Sequence, residues 1–177
     1  MPSGERLILA LDPPGGPALR VEWDVDALRD LSATSRQPGA GEAPPAWRLD
    51  PGPDWERVSA LRLISATFDD GALLAVAALR PRGATGHAAD AVEAILVSPE
   101  GEVTRPHEAL LSTEYGPDGS ARRLGLELYE DSGGPPVRIA ADRIAGADDD
   151  AGGQQSALTL RMDGTPGSGL HELIEGR

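Results

Sequence analysis

Cysteine is absent from this 177-residue chain, as are lysine and asparagine, and aromatic residues make up only 3% of it. The first absence excludes disulfides, thiolate metal sites, iron–sulfur clusters and cysteine nucleophiles. All sixteen basic residues are arginine, set against 29 acidic ones for a net charge of −13. A surface of that sign repels phosphate backbones and anionic headgroups, so neither nucleic acid nor a membrane is an expected partner. The missing lysine and asparagine read as codon bias of the source rather than adaptation to salt, because a charged fraction of 25% is ordinary. Long apolar runs are lacking too. The longest, Ala72 to Leu79, is eight residues, against roughly 20 that span a bilayer. The run Leu7 to Leu11 is too short for the core of a secretory signal, so a soluble cytoplasmic protein is the expectation.

What the chain has in plenty is glycine and proline, 22 and 16 residues, which disfavours a helical bundle and demands many turns. A chain of this length buries roughly 70% of the surface exposed when unfolded, so residues 1–177 are read as a single domain with a proper core. Leu19, Val21, Trp23 and Val25 alternate with Arg20, Glu22 and Asp24, the pattern of a strand with one wet face. Asp24 or Asp26 then caps a short helix carrying Leu28 and Leu31. Residues 36–53 hold five prolines and three glycines and read as a loop, which Trp47 and Trp55 are expected to pin onto a core.

Beyond Trp55, apolar stretches are each stopped by a turn signal: Asp69-Asp70-Gly71, Pro99-Glu100-Gly101, Pro117-Asp118-Gly119 and Ser132-Gly133-Gly134. The segments between are Arg57–Phe68, Ala72–Arg80, Asp90–Ser98, Leu110–Tyr115, Arg122–Tyr129, Val137–Ile144, Ser156–Met162 and Gly169–Ile174. With two early strands they make about ten. Ala88 to Leu96 fits a helix about as well as a strand by period alone; its brackets, Arg82-Gly83 and Pro99, favour a strand. The expected fold is all-β, an antiparallel meander closed into a lipocalin-like barrel, with at most one or two short helices. Closure removes exposed edges, which ranks the barrel above the alternative of a β-sandwich.

Three stretches carry a family resemblance: Ile64-Ser-Ala-Thr-Phe-Asp-Asp-Gly-Ala-Leu-Leu, Arg122-Arg-Leu-Gly-Leu-Glu-Leu-Tyr and Gly167-Ser-Gly-Leu-His-Glu-Leu. Over about residues 55–175 the chain resembles one half of the lipocalin-like proteins related to hydroxyneurosporene hydratase. The resemblance implies an antiparallel barrel, paired in that family with a second of similar size, and a link to apolar polyene or terpenoid molecules. This chain has length for one barrel, and no site residue is carried over from the family.

Candidate chemistry is sparse. His87, His107 and His171 are too far apart for a recognisable metal spacing, so no metal is expected, and no cofactor. His107-Glu108 and His171-Glu172 point to opposite faces of a strand, and neither makes a ready acid–base couple. His171 stands out because Gly169 beside it leaves room for a ligand or another backbone. The strand Arg122–Tyr129 divides into Leu124, Leu126 and Leu128 on one face and Arg123, Gly125, Glu127 and Tyr129 on the other. If the second face lines the barrel, Arg123, Glu127 and Tyr129 join His171 as ligand-binding candidates; if the leucines face inward, the charged face is solvated. Glu114 and Tyr115 precede a turn and offer an acid and a hydrogen-bond donor at a barrel mouth, or an ordinary strand end. Asp148-Asp149-Asp150 lacks the ligand spacing of a calcium loop and reads as solvated. Gly15-Gly16 and Gly133-Gly134 lack phosphate-loop context, and Gly167-Ser168-Gly169 lacks nucleophile-elbow spacing.

These readings favour binding of a small apolar or amphipathic molecule in a barrel cavity. The alternatives are a hydratase- or isomerase-type enzyme on an apolar substrate, with catalytic residues unassigned, and a non-catalytic interaction domain for which a homodimer is one arrangement.

Overall fold

The computed structural model describes residues 4–13, 17–34, 45–148 and 153–176, with backbone alone for 32–34, 145–148 and 153. A small antiparallel sheet, order β1-β2-β3, is built from β1 (Arg6–Leu11), β2 (Leu19–Asp24) and β3 (Trp47–Leu49), with helix α1 (Val25–Thr34) after β2. The Asp24 carboxylate accepts the Ala27 N–H at 2.9 Å and caps the helix start, as the sequence implied. Glu22 ties the sheet together through Arg6 of β1, Arg20 of β2 and Arg48 of β3.

The large sheet has nine strands: β4 (Val58–Phe68), β5 (Leu73–Pro81), β6 (Ala91–Val97), β7 (Val103–Thr104), β8 (Glu108–Tyr115), β9 (Ala121–Tyr129), β10 (Val137–Asp148), β11 (Gly153–Met162) and β12 (Thr165–Glu175). Their order is β7-β6-β5-β4-β12-β11-β10-β9-β8, every pair antiparallel. Two meanders therefore meet where β12 pairs with β4. Only residues 105–107 join the edge strands β7 and β8, so the sheet must curl for its edges to approach. The result is a curled half-barrel, consistent with a lipocalin-like fold, whose edges are not hydrogen-bonded to each other. No helix among the described residues is long and apolar enough to cross a membrane.

The ambiguous Ala88–Leu96 segment resolves into a 3-10 turn, His87–Ala89, and strand β6. The short strands β3 and β7 were not legible, being too brief to show a period of two, and β3 falls inside the predicted 36–53 loop, whose residues 36–44 lie outside the described set. Asp163-Gly164 joins β11 to β12 with φ of 47° and 95°, the two positive values of a type I′ hairpin.

Two apolar cores lie on either side of the large sheet. On its outer face, Leu61, Leu63, Leu73, Ala75, Ala77 and Ile95 pack against the small sheet and α1. On its inner face, Ile64, Phe68, Leu74, Leu126, Ile139 and Leu160 fill one end of the half-barrel. Strands β4 and β5 are buried on both faces, which is why they read as near-continuous apolar runs. Trp23, fully buried in the outer core, donates its Nε1–H to Ser65 Oγ at 2.9 Å. Trp23→Phe should cost about 1–3 kcal/mol in urea unfolding, because it strands the Ser65 hydroxyl and opens a void. Ser65→Ala added to that variant should recover part of the loss; no recovery would show that the bond contributes nothing. Trp47 and Trp55 both pack against this core, as pinning residues would.

Gly169 is where two backbones meet. A Cβ there would lie 2.4 Å from the Ser65 carbonyl oxygen and 2.9 Å from Ala66 Cβ. Of the two uses foreseen for the missing side chain, close approach of another backbone is the one realised, and it brings β12 onto β4. Gly169→Ala should lose about 1–3 kcal/mol by overpacking, read as a lower urea midpoint; an unchanged midpoint would mean that the strands can part at no cost.

Candidate functional site

Alternation along the inner face decides what enters the half-barrel. On β4 the inward series is Arg62, Ile64, Ala66 and Phe68, and its partners on β5 are Ala78, Val76 and Leu74, with Leu73 opposite Thr67 on the other face. On β12 Gly167, Gly169 and His171 stand opposite Phe68, Ala66 and Ile64. The apolar members of these series fill one end of the interior, and the polar members collect at the other. There a cavity of about 320 Å³ opens, walled by Arg62, Arg80, His87, Thr113, Tyr115 and His171 among others.

Asp90, at the entry to β6, organises this end. Its side chain is 1% exposed and accepts hydrogen bonds from Arg62 Nη2 at 2.6 Å and Arg80 Nε at 3.0 Å. His87 Nδ1 lies 3.0 Å from the same carboxylate, and the Arg80 guanidinium also touches the His87 ring. With Nδ1–H directed at Asp90, His87 presents Nε2 as acceptor to the Tyr115 hydroxyl, 2.7 Å away. The two rings stack with centroids 5.6 Å apart. A β-bulge between Glu114 and Tyr115 marks the end of β8, the kind of irregularity that re-aims a side chain beside a site. Arg62, its side chain 6% exposed, donates a further hydrogen bond to Thr113 Oγ1 at 2.7 Å.

The electrostatics follow from this crowding. Burial pushes the Asp90 carboxyl up, but hydrogen bonds from Arg80 and His87 and the charge of Arg62 outweigh it and hold it below the usual range. Burial pulls the Arg62 guanidinium down, against the attraction of Asp90. His171, 4% exposed, is brought from 6.5 to about 4 by burial, with the positive charges of Arg62 and Arg143 adding to the effect. Its Nε2 is buried and has no hydrogen-bond partner among the described residues, and neither has Arg143 Nε. Glu172, next along β12, points the other way as a strand requires. It accepts from Trp47 Nε1 and Gln155 Nε2, and burial raises its pKa.

No family model matches the chain, and no curated protein matches it in sequence. The chain superposes on the crystal structure of a putative ATTH from Nitrosomonas europaea with a TM-score of 0.55 and 16% identity. The match covers 74% of this chain and 43% of that one, so this chain spans less than half of its neighbour. At that identity the likeness is one of fold.

Of the four residues singled out on the sequence, His171 alone lines the cavity. On β9 the leucines face inward, because Leu124, Leu126 and Leu128 complete the inner core. Arg123, Glu127 and Tyr129 consequently stand on the outer face: Arg123 donates to Asp142 at 3.0 Å, while Arg138 and Tyr129 both donate to Glu127 at 2.9 Å. Arg123 and Glu127 border two open depressions of about 700 and 620 Å³ on that outer surface. Tyr115 does reach the mouth, whereas Glu114 turns outward toward Arg123. His107 is exposed and faces Asp131 at 3.6 Å. Asp149 and Asp150 of the acidic run, and Gly15 and Gly16, lie outside the described residues, within which no cluster of three or more His, Asp or Glu could hold a metal. The cluster of Arg62, Arg80, His87 and Asp90 was not foreseen; its one trace was an arginine set inside the apolar series Leu61–Phe68.

Proposed function

We propose that this protein binds a small amphipathic molecule at the polar end of the half-barrel. The observation that carries the reading is the cavity of about 320 Å³, in which polar groups converge above an apolar interior. A ligand would set its polar group among Arg62, Thr113 and His171 and rest its apolar part on Ala60, Ala121 and Leu173. The curled half-barrel agrees with such a role at a coarse level, and the resemblance to the hydroxyneurosporene hydratase-related proteins supports an apolar body on the ligand. Native mass spectrometry of protein purified from its own host, followed by denaturing extraction, tests it. The expected result is a retained small molecule that is lost from Leu173→Trp, which fills the cavity; retention by that variant would place the ligand elsewhere.

A second reading, acid–base catalysis of the hydratase or isomerase type, is favoured by one observation: the Tyr115 phenol is held by His87, itself anchored on buried Asp90. Such a chain can hold or pass a proton at the phenol oxygen. Once a ligand is named, Tyr115→Phe should abolish its turnover while binding persists. Equal turnover by wild type and variant would remove the phenol from any reaction.

A further inference from the structure

We infer that the molecule received by this cavity is an anion, a small carboxylate whose oxygens meet the Arg62–Arg80 pair and His171. The inference rests on the binding reading above and adds the ligand's charge. Arg62 and Arg80 share a single buried counter-charge, Asp90, which leaves one positive charge in excess within that cluster. Arg143 adds to the positive field at His171. Among the described residues the acidic one lining the cavity is Glu175, at the exposed rim. This concentration of positive charge sits in a chain whose net charge is −13.

His171 Nε2 supplies the second, independent observation. A buried polar atom without a partner costs about 1–3 kcal/mol, and this one lies on the cavity wall with no partner among the described residues. Burial, helped by the charges of Arg62 and Arg143, keeps the ring neutral, so it can offer an N–H without adding a proton. The guanidinium groups, the Thr113 hydroxyl and the Gln154 amide also bring donors to this end. A set so rich in donors is complementary to a carboxylate, which only accepts. A cation finds no equivalent among the buried groups, because the oxygens of Asp90 are already engaged by Arg62, Arg80 and His87. A space of about 320 Å³ is the share of about ten waters in the liquid, which limits the guest to a short- or medium-chain acid.

Calorimetric titration with straight-chain carboxylates from butanoate to decanoate, and with primary alcohols and amines of matching length, tests the inference on wild type, His171→Leu and His171→Gln. Carboxylates should bind at least about tenfold more tightly than the alcohols, with amines weakest. His171→Leu should lose at least about tenfold in carboxylate affinity while unfolding at the same or higher urea concentration, and His171→Gln, which keeps an N–H, should recover part of it. The imidazole nitrogen signals of His171 should shift on adding acid but not alcohol. Acids and alcohols binding alike would overturn the anion and leave the binding site standing, as would tighter binding of amines. Carboxylate affinity unchanged in His171→Leu would remove His171 from the site. No binding by any member of the three series would overturn both the anion and the binding reading beneath it.

Discussion

Asp90→Ala should lower the free energy of unfolding by about 3–5 kcal/mol at pH 7, the usual cost of removing one partner from a buried ion pair. The Arg62 guanidinium is buried with it and would be left without a counter-charge, with Thr113 as its remaining neutral partner. Arg80 is more exposed and can swing toward water, so the loss is dominated by Arg62. The effect depends on charge, so Asp90→Asn should fall between wild type and Asp90→Ala. Removing both charges with Arg62→Met and Asp90→Val should recover most of the loss, because an apolar pair of similar volume owes no desolvation penalty. The Asp90 contribution is present above the ordinary carboxylate pKa of 3.8 and is lost as the pH falls through its lower folded value. Urea unfolding of the four proteins at pH 7 is the measurement; a difference under about 1 kcal/mol between wild type and Asp90→Ala would mean that the carboxylate does not hold this end of the barrel together.

Much of the fold was legible because its strands obey simple rules. Arg122–Tyr129 alternates strictly, since β9 is wet on one side, and turn residues stop nearly every strand. What could not be read was which side of that strand faces the cavity. Alternation separates two faces without naming the inner one, and Arg123, Glu127 and Tyr129 were credible lining residues until β10 was seen to bring Ile139 and Ala141 beside Leu126 and Leu124. The site itself was hidden for a different reason. Arg62, His87, Asp90, Tyr115 and His171 come from four separate segments, and their convergence depends on β12 turning back to pair with β4 rather than extending the meander. No local pattern encodes that pairing. Gly169 was the closest hint, and its lack of a side chain is what lets the two strands approach.

His171 should make the protein lose stability between pH 6.5 and pH 4, earlier than the carboxylates alone would. Folding lowers its pKa from 6.5 to about 4, so in that window the unfolded chain binds a proton that the folded one refuses. Stability therefore rises with pH through the window and is fully restored above 6.5. The integrated effect is up to about 3 kcal/mol. Nearby acids act lower or with the opposite sign: Asp90 and Glu22 lose their stabilising effect only as the pH falls below their ordinary values, and Glu172, raised by burial, favours the folded state on acidification. Comparing wild type with His171→Leu cancels these contributions. The variant should be as stable as wild type or more so at pH 7, because it removes an orphaned nitrogen, and its advantage should widen steadily to pH 4. Parallel stability curves in urea at pH 7, 6, 5 and 4 would show that the imidazole is not held neutral in the barrel. A widening gap would instead mark His171 as a residue that costs stability where it stands, which is the behaviour of a group kept for what enters the cavity rather than for packing.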